Sequence, residues 1–300
     1  MQTKSINGST HFRNVLPVVV LVGLLIGCRT TAPRSASIPP PPPPPSATGQ
    51  SARDNNLVLG NPSRAATDDP DNYLLEKPTY ALSYNRTRGS ANWVSWHLSA
   101  AWKGNAPRID KFRPDPTLPS TWFAAKTSDY SKTGFDRGHL CPSDDRDGTA
   151  DENSATFLLT NIVPQAPRHN REVWKNLEDY TRRLVLAGNE VYVIAGVNGT
   201  GGTGTNGFAT SIAGGNITVP ASLWKILLVL PAGDDDLSRI SPDTRVIAVN
   251  IPNTPLAADK PWPFYLVSIN AIQKLTGYDF LTSLPPDLQR TLESRIDASL

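Results

Sequence analysis

The 300-residue sequence predicts an α+β fold in which helices pack on a mixed sheet. Three observations lead there. Apolar runs of strand length recur at Asn92–Ser99, Glu190–Val197, Leu223–Leu230 and Arg245–Ile251. Arg171–Ala187 carries a helical stripe of Val173, Leu177, Tyr180 and Leu184, spaced at +4, +7 and +11. These segments do not alternate regularly between strand and helix, as a doubly wound parallel sheet would require. A hydrophobic content of 39% is enough to give such a fold a real core.

Residues 1–28 read as a signal peptide. A polar start bearing Lys4 and Arg13 precedes the apolar run 15–27, which falls short of the roughly twenty residues of a membrane span. The run ends in Leu25-Ile26-Gly27-Cys28, which is similar to a bacterial lipobox, so Cys28 is expected to carry a lipid anchor; the other reading is an ordinary signal peptide with a chance cysteine, and on either the mature protein is expected to be exported. Residues 29–72, with the seven prolines Pro39–Pro45, read as a disordered Pro-rich tether that holds a folded domain off a membrane or wall. The folded domain is expected to occupy 73–300.

Within that domain, Thr79–Tyr84 and Asn92–Ser99 alternate as strands. Val94, Trp96 and Leu98 fall on one face of the second, and Trp93, Ser95 and His97 on the other, where His97 is expected to be exposed or hydrogen-bonded. Gly104–Ser120 is a polar, proline-rich crossing. Asp151–Ala155 reads as a short helix and Phe157–Asn161 as a strand. Gly188 stops the long helix. Gly199–Gly215 lacks the Lys-Ser/Thr ending of a phosphate-binding loop and reads as a mobile surface loop. Tyr265–Ser268 suggests another strand, and Ile269–Thr276 a helix stopped by Gly277. Pro286–Ser299 reads as a last helix with Leu288, Leu292 and Ile296 inward.

Composition narrows the chemistry. Two cysteines and four histidines exclude a disulfide framework, a multi-cysteine zinc cage and any site built from several histidines. Removing residues 1–28 leaves 27 basic against 27 acidic side chains, so no bulk positive field is available to coat a polyanion. What remains is a sparse site around Gly134-Phe135-Asp136-Arg137-Gly138-His139-Leu140. Cutting a phosphodiester requires a base for water, stabilisation of charge on phosphorus, and neutralisation of the leaving oxygen. A neutral histidine, arginines and a hard divalent cation with one or two oxygen ligands meet those needs. Asn170 and Glu178 lie about 80° apart on an ideal helix with Trp174 between them, and Arg182 is spaced to pair with Glu178.

The ordered motifs Asp136-Arg137-Gly138-His139, Thr160-Asn161-Ile162-Val163-Pro164-Gln165 and Asn170-Arg171-Glu172-Val173-Trp174-Lys175-Asn176-Leu177-Glu178 resemble the DNA/RNA non-specific endonucleases, the ββα-metal or His-Me finger nucleases. The resemblance runs from about Asn72 to the C-terminus. It implies a central, mainly antiparallel sheet with flanking helices and a ββα-metal core. It also implies metal-dependent cleavage of single- and double-stranded DNA and RNA, leaving 5′-phosphates. By the same resemblance His139 would be the general base, and Asn170 the single direct ligand of Mg²⁺ or Mn²⁺. Glu178 would hold metal-bound waters. Arg137 and Arg108 would steady the phosphate, Arg182 would support Glu178 or the phosphate, and Asn161 would line the substrate site.

Other readings of single residues are structural: an Arg137 ion pair to Asp136, a packing role for Cys141, and a phosphate contact or no role for His169. An extracellular nucleic-acid-binding module without turnover is the main alternative function, and a phosphodiesterase of small or lipid substrates a further one. A protein inhibitor is a partner that no residue pattern marks.

Overall fold

A computed structural model describes Arg53 and residues 55–299. The signal peptide with Cys28, and the proline run Pro39–Pro45, lie outside the described residues. In chain order the strands are β1 (Tyr73–Glu76), β2 (Ala81–Asn85), β3 (Ser90–Leu98), β4 (Asp136–His139), β5 (Ile162–Gln165) and β6 (Asn189–Asn198). There follow β7 (Gly202–Gly204), β8 (Gly207–Ala209), β9 (Ser211–Ile212), β10 (Ile217–Thr218), β11 (Ser222–Pro231) and β12 (Arg245–Pro252). The helices are α1 (Ala150–Ala155), α2 (Lys175–Leu186), α3 (Asp236–Arg239), α4 (Ile269–Thr276) and α5 (Pro286–Glu293).

Six strands form the main sheet in the order β1-β2-β3-β6-β11-β12, and every pairing is antiparallel. The central strands are buried on both faces, which explains their nearly continuous apolar sequence. One face, bearing Val94, Trp96, Leu98, Leu223 and Leu227, packs against Val173, Trp174, Leu177 and Tyr180 of the long helical segment. The other face, bearing Trp93, Tyr192, Trp224 and Ile226, packs against Ile269 and Ile272 of α4 and Leu292 of α5. The sheet is therefore the middle layer between helices. Among the described residues no helix is long and apolar enough to cross a membrane.

Several local expectations hold. The short helix expected at Asp151–Ala155 is α1, which Thr149 and Glu152 cap reciprocally. Gly188 and Gly277 adopt the positive φ, 88° and 75°, that closes α2 and α4.

Others are corrected. The ordered fold begins before Tyr73, because Leu59 and Ala65 are buried against the sheet and Ser63 Oγ accepts from Trp93 Nε1 at 2.7 Å. Residues 55–72 are thus part of the domain, not tether. Leu159–Asn161 is a single 3₁₀ turn, and the strand follows it as β5. Trp262–Tyr265 is also 3₁₀, and only Leu266 bridges to Val249. The last helix ends at Glu293, leaving Ile296 57% exposed.

His97 is completely buried, with its Nε2 3.3 Å from Glu190 Oε2. Gly199–Gly215 contains the β7–β8 hairpin, pinned to the main chain of Gly134 by Thr205 N at 2.9 Å and of Lys132 by Asn206 Nδ2 at 2.9 Å.

Candidate active site

The three motifs come together because two of them are paired strands. In the β4–β5 ladder Asp136 lies opposite Gln165, Gly138 opposite Val163, and His139 opposite Ile162. Gly138 has a steric reason: a Cβ there would sit 1.7 Å from Gln165 Oε1. Gln165 in turn is buried and has its Nε2 3.0 Å from Nδ1 of His169, which immediately precedes the third motif and opens the helical turn that carries it. His169 is therefore a buried packing residue beside Trp174, not a loop contact for phosphate. That first turn, His169–Trp174, is π-helical before α2 continues. The wider turn displaces the ideal α-helical count between Asn170 and Glu178, and such π insertions recur at functional sites.

At the end of β4, His139 is enclosed by the rings of Phe157, 4.9 Å away and edge-on, and Phe112 at 5.4 Å. Burial, reinforced by the positive charges of Arg108 and Arg137, pushes its imidazole down to about 3, so the ring is neutral throughout the physiological range. Its Nε2 meets no hydrogen-bond partner among the described residues. The same two aromatic rings carry the arginines. Arg137 lies 4.5 Å over Phe112, and Arg108 5.0 Å over Phe157, with Nη1 donating to Ser143 Oγ at 2.7 Å. Arg137 makes no ion pair with Asp136. Phe112 and Phe157 were missed by sequence reading. The closeness of Phe112 to Arg108 is a weak signal, and Phe157 resembles any core aromatic.

Asp136 spends its carboxylate on the metal-candidate helix. It accepts from Asn170 Nδ2 at 3.0 Å and bidentately from Arg171 at 2.8 and 2.7 Å. A carboxylate can only accept, so the amide nitrogen must face it, and Asn170 is left with its Oδ1 to offer.

Glu178 is largely enclosed, with Lys225 Nζ 3.6 Å from its Oε1. Burial drives its carboxyl up to about 7 against the opposing pull of Lys225 and Arg182. Arg182 does not ion-pair with Glu178. Its guanidinium holds Asp145 at 3.0 Å and Asp179 at 2.6 Å, with Asp144 at 3.8 Å.

Asn161 is fully buried and does not line a substrate surface. Its Oδ1 accepts from Cys141 N at 2.9 Å, and its Nδ2 donates to the carbonyls of Cys141 and Thr156. It clamps the chain just after His139. Cys141 is a buried packing residue whose thiol is pushed up to about 12 by burial.

A second donor set, His97, Glu190 and Asp236, has the composition of a metal site. It lies on the sheet face opposite α2, and Arg239 ion-pairs with both of its carboxylates. Asn170, hydrogen-bonded to the first residue of the strand that ends in His139, and Glu178, two turns further along the same helical stretch, offer amide and carboxyl oxygens, the donor chemistry that suits a hard, hydrated cation.

A family model for DNA/RNA non-specific endonuclease matches residues 63–287. A nuclease of Nostoc sp. (strain PCC 7120 / SAG 25.82 / UTEX 2576) is 47% identical over 284 residues, covering 94% of this chain and 97% of that protein. Human mitochondrial endonuclease G is 32% identical over 218 residues, 70% of each chain. Among solved structures, EndoG in complex with its inhibitor EndoGI superimposes with a TM-score of 0.64 at 23% identity, covering 77% of this chain and 91% of that one. With its motifs on one ββα unit and nearly its whole described length matched, the chain belongs to the DNA/RNA non-specific endonuclease family and is an endonuclease.

Proposed function

We propose that this endonuclease uses Mg²⁺ or Mn²⁺ to hydrolyse both DNA and RNA, single- and double-stranded, leaving 5′-phosphates. The observation that carries the reading is the Asn170–Asp136 hydrogen bond, which joins the candidate cation ligand to the strand ending in His139. Asn170 Oδ1 would bind the cation and Glu178 its waters. Once bound, the cation supplies positive charge for the phosphate and the leaving oxygen.

The chain's own residues do the rest. Arg108 and Arg137 grip the phosphate. Its negative charge offsets the two guanidinium groups and so relieves the part of the His139 depression that they add to burial, and His139 takes a proton from the attacking water. Contacts confined to phosphates carry no sequence information, in keeping with action on both nucleic acids.

The test is digestion of plasmid and RNA with and without EDTA, alongside His139→Ala. Loss of general-base help should slow cutting by about 10²–10⁴-fold, and EDTA should abolish it. Binding without any cutting by the intact protein would instead favour the module without turnover. Cutting indifferent to chelator would sink the mechanism.

We also propose that the protein is exported and held to a bacterial membrane through lipid on Cys28, on the strength of Leu25-Ile26-Gly27-Cys28. Mass spectrometry of the mature N-terminus should find lipidated Cys28, whereas a free terminus beyond it would refute the anchor. A protein inhibitor, the partner captured on EndoG, is a fitting partner class here by analogy.

A further inference from the structure

The strand β11 contains Leu223-Trp224-Lys225-Ile226-Leu227, and alternation puts Lys225 on the face it shares with Leu223 and Leu227, beneath α2. That position calls for an apolar side chain, yet it holds a lysine that is 1% exposed. A buried ammonium is costly unless paired. Here the ammonium lies 4.2 Å from the ring centre of Trp174 and 5.6 Å from that of Trp96, and 3.6 Å from Glu178 Oε1. Trp174 stands four residues after Asn170 and four before Glu178, so its ring ties the ammonium to the helical stretch carrying both cation candidates. Arg182, the sequence-level candidate for orienting Glu178, is instead bound to Asp145 and Asp179.

We propose that Lys225 is the positioning residue for Glu178: from inside the sheet it holds Oε1 and leaves Oε2 to receive cation-bound water. The inference rests on the reading of Asn170 and Glu178 as the cation-holding pair. Lys225 touches neither substrate nor reacting atoms in this scheme. It acts through the carboxylate, as partners behind a metal's immediate ligands commonly do.

The experiment is Mn²⁺ binding, followed by electron paramagnetic resonance, to the full chain and to Asn170→Ala, Lys225→Met, Glu178→Gln and the Lys225→Met/Glu178→Gln double variant. Circular dichroism checks that each is folded. Asn170→Ala should weaken binding strongly, and if it does not, the cation site itself is misassigned and the role of Lys225 falls with it.

Given that result, Lys225→Met should raise the Mn²⁺ Kd by about 10-fold or more. In the Glu178→Gln background the same change should alter Kd by less than about 2-fold, because the two residues act as one unit. A Lys225→Met Kd within about 2-fold of the parent overturns the proposal. So does an equal loss in both backgrounds, which marks a merely structural lysine. Should Lys225→Met not fold, the side-chain NMR resonances of Lys225 decide. They should shift on addition of Mg²⁺ to the parent protein and not to Glu178→Gln, and no shift in the parent overturns the proposal.

Discussion

Asp136 accepts a hydrogen bond from Asn170 Nδ2 at 3.0 Å, and this contact couples the strand that carries His139, the candidate base, to the helix that carries the candidate cation ligand. Asp136→Ala should free the Asn170 amide to rotate and leave Arg171 without its partner. The cation concentration for half-maximal cutting should then rise by about 10–100-fold, with a smaller effect on the rate at saturating cation. Titration of cutting rate against Mg²⁺ checks this, and an unchanged requirement would show that Asn170 does not depend on Asp136.

Gly138 is required by its neighbour rather than by its backbone angles. Gly138→Ala should displace the buried Gln165 and break its contact with His169, costing about 1–3 kcal/mol of stability. Urea denaturation should show the loss. Gly138→Ala/Gln165→Ala should recover part of the steric cost, and a double variant less stable than the additive sum would contradict the clash as the cause.

Arg182 neutralises Asp145, whose carboxylate is almost wholly buried and also accepts from Trp96 Nε1 at 3.0 Å. Arg182→Ala should therefore cost about 3 kcal/mol of stability in addition to any loss of activity, because it strands a buried charge. A thermal melt unchanged by the substitution would assign Arg182 to the reaction alone.

His169 is pushed down to about 3, chiefly by burial, so the unfolded chain binds a proton that the folded chain refuses between about pH 3 and its ordinary 6.5. The stability from this group is fully present above 6.5 and is lost as pH falls through that window. Glu178, raised to about 7, opposes the trend between 7 and 4.5, so the clean measurement is a difference between proteins. His169→Gln should make stability less steep in pH by about 1.4 kcal/mol per unit between pH 6 and 4. Parallel curves for the two proteins would refute the neutral buried imidazole.

The central strands and the long helix were legible because burial imposes a period, and a period can be counted along the chain. Their boundaries shifted where local geometry departs from that period, at the π turn of His169–Trp174 and the 3₁₀ turns of Leu159–Asn161 and Trp262–Tyr265. The polar composition of residues 55–72 is that of a tether. Leu59 and Ala65 nevertheless reach a sheet that forms only later in the chain.

By itself, the sequence determined the fold class, the order of the three motifs, the scarcity of histidine and cysteine, and hence the expectation of an oxygen-rich site beside a single histidine. Those properties follow from residue type and from spacing within one element. The tertiary structure alone decided which partner each charge takes: Asp136 takes Asn170 and Arg171, Arg182 takes Asp145 and Asp179, and Lys225 takes Glu178. It also turned Asn161 inward onto Cys141 and placed His139 against Phe112 and Phe157. Several of these pairings join residues distant in the chain, and the choice among competing charges depends on burial, so neither leaves a periodic trace in the sequence.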